Sequence, residues 1–241
     1  MAGNPKQWPP GEADPPELMY SPTFCHTNHS LVCRHHLAGE VWTVYIKHMV
    51  SIETTQSEIS LSGQLLVAMP HMEDPRFART VVYICAHSDD GAMGLVVNRL
   101  IDSMKFDALL DHLGLETATA HPNVPIHFGG PVESSRGFVL HSADIVQEST
   151  LMIDDDVALT ATTEMLQTIA NGEGPKRCVL ALGYAGWGAG QLDQEIQDNG
   201  WLLVPADNQL VFGLDNDTKW EGAMTKLGID LSLLSSQAGH A

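Results

Sequence analysis

The chain has 241 residues and 44% of them are hydrophobic, so it can bury the core of one fair-sized domain. Acidic residues outnumber basic ones 30 to 12, which gives a formal charge of -18 at pH 7. Phosphate backbones and anionic lipids repel so acidic a chain, which argues against direct nucleic-acid binding and membrane attachment. Without a long apolar span or a secretory leader, and with only four cysteines, the sequence predicts a soluble cytoplasmic protein with reduced thiols.

The first 57 residues differ from the rest because they are proline-rich, aperiodic and dense in histidine. Zinc prefers thiolate and imidazole ligands, and this region offers Cys25, His26, Cys33 and either His35 or His36. No C-x2-C or H-x3-H pair accompanies them, which favours an appended segment or a start codon assigned too early, with the true start near Met49. We therefore predict an N-terminal extension over 1–57 and one domain over 58–241.

Apolar runs bounded by turn residues predict a series of strands in this domain. They cover 64–70, 80–87, 94–98, 126–130, 137–141, 157–161, 177–184 and 201–206. The Asp-Gly step in "SDDGAM" predicts a hairpin between the second and third strands, because Gly91 adopts positive φ without steric cost.

Helical spacing of apolar residues predicts a helix within 103–114, capped by Ser103 and ended by Gly114. A second helix is predicted over 163–171, and a third follows a capping box formed by Thr218 and Glu221. Early strands follow one another and later strands alternate with helices, which predicts an α+β fold with a mixed sheet.

The segment "GYAGWGAGQLDQEIQDNGWL", residues 183–202, runs from a strand pattern through glycines to a helix pattern. Such a junction can direct backbone N–H groups at an anion. Its G-x-G-x-G spacing departs from the dinucleotide fingerprint and it lacks the Lys-Ser/Thr pair of a P-loop. These departures favour a tight turn with Tyr184 and Trp187 packed as a wall, and ligand binding remains the alternative.

Cys85 and His87 lie two residues apart on a predicted strand, so both are expected on one face, as a thiol–imidazole pair requires. Ordinary core packing fits the same spacing, and no third orienting group accompanies them. Two scattered histidines, His127 and His141, do not make a metal site, and "IDDDV" (153–157) lacks the calcium-loop register and predicts a solvated turn. The sequence predicts no cofactor and no metal.

Three segments together resemble the YqgE/AlgH family: "DPRFARTVVYICAHSDDGAMGLVVNR" (74–99), "HFGGPVESSRGFVLHS" (127–142) and "LGYAGWGAGQLDQEIQDNGWL" (182–202), which is the glycine segment with the preceding Leu182. The resemblance covers roughly residues 60–231, and Leu100 stands where the family often has proline. For the fold it implies a single compact α+β domain with a branched, partly barrel-like sheet surrounded by helices. Members are bacterial and often labelled transcriptional regulators, with no ligand, cofactor or reaction firmly attached.

The family's motif positions are the candidate binding residues here. They are Cys85, His87, Asn98, Gly129, Gly130, His141, Gly183, Tyr184, Gly186, Trp187 and Gln191.

Two hypotheses of function follow. The first is a non-enzymatic binding or regulatory module that acts through an unidentified protein partner or small ligand, with the 127–131 and 183–191 segments as its face. The second is an enzyme that uses Cys85 or His87 beside the glycine segment on an acyl or phosphorylated metabolite. The acidic charge predicts that any effect on transcription passes through another protein rather than through DNA contact.

Overall fold

The computed structural model describes residues 60–115, 122–213 and 215–229. The predicted extension over 1–57, with its alternative zinc ligands, lies outside the described residues. No helix in the described part is long and apolar enough to cross a membrane.

Nine strands and four α-helices make up the described chain, in the order that follows. They are β1 (Gln64–Ala68), β2 (Val81–Ser88), β3 (Gly91–Val96), α1 (Phe106–His112), β4 (Ile126–Phe128), β5 (Val132–Ser142), β6 (Leu151–Met152), β7 (Val157–Thr160), α2 (Thr163–Ala170), β8 (Cys178–Gly188), α3 (Gln191–Gln197), β9 (Trp201–Pro205), a π-helical segment (Gln209–Gly213) and α4 (Asn216–Lys226).

The strands form one strongly curled, half-barrel sheet in the order β6-β7-β5-β8-β3-β2-β1-β9. Neighbours in this order are antiparallel, whereas β4 branches off and pairs with β8 in parallel. The predicted α+β class and the mixed, branched, partly barrel-like sheet are therefore confirmed. Register shifts within β2 and β5 mark bulges, and bulges increase the twist and bending of a sheet.

Alternation along the strands distributes the core over three apolar clusters. The first packs one face of the sheet against α4, with Tyr83, Phe138 and Trp220 among its members. The second packs β1–β3 against α3, and the third packs β4, β5 and β8 against α1 and α2. Helices thus cover the sheet on both faces.

Several local predictions are confirmed. The β2–β3 hairpin turns at Asp89-Asp90 with Gly91 at φ 138°, and Gly114 and Gly172 follow their helices at positive φ. The predicted strands are present, although β6 and the π-helical segment were not foreseen.

The predicted helix caps are wrong. Lys105, not Ser103, precedes α1, and it makes no side-chain cap. Helix α4 begins before Thr218, because Asp215 is its N-cap and accepts a hydrogen bond from the Asp217 N–H. Thr218 Oγ1 instead donates to the Asp215 carbonyl within the first turn.

Candidate functional site: the glycine contact and the groove beside it

The glycine segment is a strand over most of its length rather than a loop. β8 continues through Gly183, Gly186 and Trp187 to Gly188, where its final residues pair with β3. The turn is confined to Ala189 and Gly190, and Gly190 begins α3 at φ 67°. The tight turn favoured by the sequence is therefore present but shorter than expected, because the strand continues to Gly188 before the helix begins.

The two predicted segments do meet, but as backbone against backbone. The Gly129 N–H donates to the Leu182 carbonyl at 2.8 Å, and the Gly129 carbonyl accepts from the Val96 N–H at 2.9 Å. A Cβ on Gly129 would overlap the Gly183 carbonyl oxygen, and one on Gly130 would overlap the backbone of Tyr184. These glycines are needed because two chain segments pack too closely for any side chain.

At the Gly188 end of β8, side chains from β8, α3 and β9 form hydrogen bonds with one another. Glu195 Oε2 accepts from both indole N–H groups, that of Trp187 at 2.9 Å and that of Trp201 at 2.8 Å. Gln191 donates to Glu195 Oε1 at 2.8 Å and accepts from the Gly188 N–H at 3.0 Å. The indoles meet edge to face with centroids 6.0 Å apart. Sequence reasoning missed these contacts of Glu195 with both indoles, which we call the indole clamp.

Tyr184 lies between these two regions and packs edge to face on Phe138, with ring centroids 5.8 Å apart. Its role as a wall residue, predicted from the sequence, fits this contact. Gly186 faces the Tyr184 ring, and a Cβ there would approach the ring carbon at 3.1 Å. Tyr184 and the glycines around it are therefore closely packed.

Cys85 and His87 lie on opposite faces of β2, contrary to the prediction. The bulge places both Cys85 and Ala86 in the first core cluster. His87, the next residue, therefore lies on the face opposite to Cys85. The Cys85 thiol donates to the Tyr83 carbonyl at 3.7 Å, and burial raises its pKa far above the ordinary value. His87 Nδ1 accepts from the Leu61 N–H at 3.3 Å, while its Nε2 lies 3.7 Å from Asp193. A thiol kept protonated and apart from its base is a poor nucleophile.

The other histidines are structural. His141 is fully buried, donates from Nδ1 to the Ser142 carbonyl at 2.9 Å and accepts at Nε2 from Thr160 at 2.8 Å. Burial lowers the pKa of His141, which keeps the ring neutral as these bonds require. His127 donates to the Leu180 carbonyl at 3.2 Å, and burial, with the nearby Lys219 charge, lowers its pKa. Neither ring is presented to a ligand.

Lys219 was missed by sequence reasoning. It is only 2% exposed, and its ammonium donates to the carbonyls of Val97 at 2.7 Å and Val211 at 2.9 Å. Burial lowers its pKa to about 8. Lys219 thus joins α4 to the residue after β3 and to the π-helical segment. Because both acceptors are neutral, the buried ammonium has no compensating charge among these partners.

Among the described residues no group of three or more His, Cys, Asp or Glu side chains could hold a metal ion. The "IDDDV" segment is a turn in which Asp154 Oδ1 accepts from the N–H groups of Asp156 and Val157, at 2.8 and 2.7 Å. Asp154 Oδ2 accepts from the Tyr83 hydroxyl at 3.1 Å.

Asn98 and Arg99 organise the turn that precedes β2. Asn98 accepts from the Val81 N–H at 2.8 Å and donates to the Arg79 carbonyl at 3.0 Å. The Arg99 guanidinium donates to the carbonyls of Pro75 at 3.0 Å, Arg76 at 2.8 Å and Ala78 at 3.3 Å. Asn98, a predicted site residue, therefore links the end of β3 to the start of β2, and the adjacent Arg99 lies at the surface.

An open groove of about 620 Å³ lies above this turn. It is lined by Pro75, Arg76, Arg99, Leu100, Ile101, Asp102, Ser103 and Phe128. Leu100 remains 42% exposed, and the Arg76 side chain, paired with Asp74 at 2.6 Å, is 58% exposed. We call these eight residues the arginine groove. It combines exposed apolar surface with cationic side chains.

The curled sheet, with its parallel branch strand and helices packed on both faces, defines the class of α+β proteins to which this chain belongs. The AlgH-like family model, DUF179, matches residues 65–232, and the chain belongs to this family.

Relatives and solved structures agree with this assignment. A UPF0301 protein of Rhodospirillum rubrum is 54% identical over 181 residues, which cover 75% of this chain and 94% of the relative. One of Afipia carboxidovorans is 55% identical, with 75% and 90% covered. The solution structure of AlgH from Pseudomonas aeruginosa is 42% identical with a TM-score of 0.63, covering 78% of this chain and all of that one. A Corynebacterium diphtheriae crystal structure, at 24% identity and a TM-score of 0.55, shares the fold.

Proposed function

We propose that this chain is a non-enzymatic binding or regulatory module of the cytoplasm that acts through a protein partner or a small ligand. The arginine groove is its binding surface. The observation that carries the proposal is a contrast: the motif glycines and indoles make internal contacts, whereas the neighbouring groove leaves Leu100, which lies outside those motifs, and Arg76 exposed. Exposed apolar surface rimmed by polar groups is typical of interaction sites.

The groove also fits the positions of the family segments. Pro75 and Arg76 belong to "DPRF", Arg99 ends the 74–99 segment, and Phe128 belongs to "HFGG". Three distant parts of the sequence therefore supply one surface. The 127–131 part of the predicted binding face contributes Phe128 to it, whereas the 183–191 part contributes no lining residue.

Charge supports a protein partner over a nucleic acid. The chain carries a formal charge of -18, and the groove lining contains two arginines and one aspartate. Two cations on so acidic a protein provide no basic stripe for a phosphate backbone. A regulatory effect of this chain would accordingly pass through a partner protein.

A paired-variant experiment tests the proposed surface. Leu100→Glu places a charge in the groove, and Val146→Glu makes the same change at an apolar residue that is 59% exposed outside the lining. Each full-length chain is used to capture partners by crosslinking in a bacterial extract and is screened against metabolites by thermal shift. We expect at least one partner or ligand to be retained by the wild-type chain and by Val146→Glu and lost by Leu100→Glu. Equal retention by both variants, or none by the wild-type chain, would refute the assignment of the surface.

A further inference from the structure

We propose that the arginine groove recognises an acidic segment of a protein partner, with a carboxylate on Arg99 and Arg76 and an apolar side chain on Leu100 and Phe128. This inference rests on the proposed function and names the chemistry of its partner.

The first support is the unused capacity of Arg99. A guanidinium has five N–H donors, and three hydrogen bonds to backbone carbonyls are made by this side chain. Two donors therefore remain, and no carboxylate of a described residue lies within 4.0 Å of the guanidinium. The backbone carbonyls fix the orientation of the Arg99 guanidinium. Binding of a ligand carboxylate would therefore cost little additional side-chain entropy.

The second support is the exposed Arg76. Asp74 occupies its Nε and Nη2, at 3.0 and 2.6 Å, so the Nη1 donors are available. This pair holds the pKa of Asp74 below its usual range, and the carboxylate therefore stays charged and competes with a ligand for Arg76. Asp102 in the lining competes as well. Arg99 is consequently the principal anchor and Arg76 the auxiliary one.

The third support is the charge of the surrounding protein. Residues 58–241 contain 9 basic and 25 acidic residues, a difference of -16, whereas the lining carries two arginines and one aspartate. Most of the surface repels an acidic segment, whereas the remaining donors of Arg99 and Arg76 offer it a pairing position, which orients it on the protein.

Shape favours a chain segment over a small molecule. Small-molecule sites are clefts that bury most of the ligand, whereas this groove is open and keeps Leu100 at 42% exposure. An apolar side chain of a peptide can lie against Leu100, Ile101 and Phe128 while the peptide backbone stays at the surface.

Peptide selection tests this inference without knowledge of the natural partner. A displayed library of random twelve-residue peptides is selected on the full-length chain, and the binders are measured by fluorescence anisotropy at low and high salt. We expect binders enriched in Asp and Glu beside Leu or Phe, with affinity that falls as salt rises. Arg76→Glu should weaken them about tenfold or more, since it reverses a charge beside the ligand, whereas Lys176→Glu, the same reversal at an exposed lysine outside the lining, should change affinity less than about twofold.

The outcomes separate the two proposals. Neutral or basic binders that Leu100→Glu abolishes would overturn the acidic partner and leave the groove as the binding surface. Binders that neither Arg76→Glu nor Leu100→Glu affects, or a selection that yields no binder, would overturn the inference. Partners in the extract that Leu100→Glu does not affect would overturn the proposed function itself.

Discussion

The Gly129–Gly183 contact and the arginine groove are adjacent, at Gly129 and Phe128, but their residues are used in opposite ways. At the contact, backbone segments touch without room for a Cβ. At the other end of β8, the Glu195 carboxylate accepts hydrogen bonds from the two indole N–H groups and from the Gln191 amide. At the groove, Arg99 retains two donors and Leu100 remains exposed. Residues that satisfy one another specify the fold, whereas residues left partly unsatisfied at the surface are available to a partner.

The largest expected effect lies at the glycine contact. Gly130→Ala places a Cβ onto the Tyr184 backbone at φ 156°, so we expect a loss of more than about 4 kcal/mol in the free energy of unfolding, or no folded protein. Gly172→Ala is the control: its φ is 79° but nothing lies within 4 Å of the added Cβ, so strain alone should cost about 1 kcal/mol. Urea unfolding measures both. Similar losses in the two variants would show that backbone strain, not close packing, explains these glycines.

A smaller effect is expected at the indole clamp. Glu195→Leu leaves the indole N–H groups of Trp187 and Trp201 without their acceptor, which should cost about 2–3 kcal/mol. Asp193→Ala is the control on the same helix, because that carboxylate is 53% exposed and its nearest partner is His87 at 3.7 Å. Chemical denaturation should show a change below about 0.5 kcal/mol for this control. If Glu195→Leu were equally harmless, the clamp would not be part of the architecture.

The pH dependence of stability tests Lys219. Its pKa is about 8 in the folded chain against an ordinary 10.5, so between these values the unfolded chain holds a proton that the folded chain has released. Stability contributed by this group therefore rises with pH over that window, by roughly 3 kcal/mol in all. The raised pKa values of Cys85 and Tyr83 act in the opposite direction.

Comparison with Lys219→Met removes that opposing contribution, since both proteins contain Cys85 and Tyr83. Urea unfolding at pH 7.5, 9 and 10 should show the stability of the wild-type chain rising relative to that of the variant. Parallel pH profiles would mean that Lys219 keeps an ordinary pKa. The result therefore shows whether a buried ammonium bonded only to backbone carbonyls contributes to the stability of the fold.

Sequence patterns predicted the strands, the β2–β3 hairpin and the fold class because alternation and Asp-Gly turns are local signals. They did not predict that β8 continues to Gly188, because a run of glycines is typical of a loop unless another backbone, here at Gly130, requires the space. The bulge that separates Cys85 from His87 and the burial of Lys219 depend on tertiary packing. The groove was missed for the same reason, since Arg76, Arg99 and Phe128 come together only in the folded sheet.

The smallest expected effect sharpens the contrast most. Arg76→Glu and Leu100→Glu should each change the free energy of unfolding by less than about 1 kcal/mol, because exposed ion pairs and surface residues contribute little to stability. Thermal and urea unfolding check this directly. A loss of unfolding free energy as large as that of Gly130→Ala would mean that the groove residues stabilise the fold as the glycine contact does. With stability unchanged, lost binding in these variants reports the surface itself, because the fold beneath it is the same.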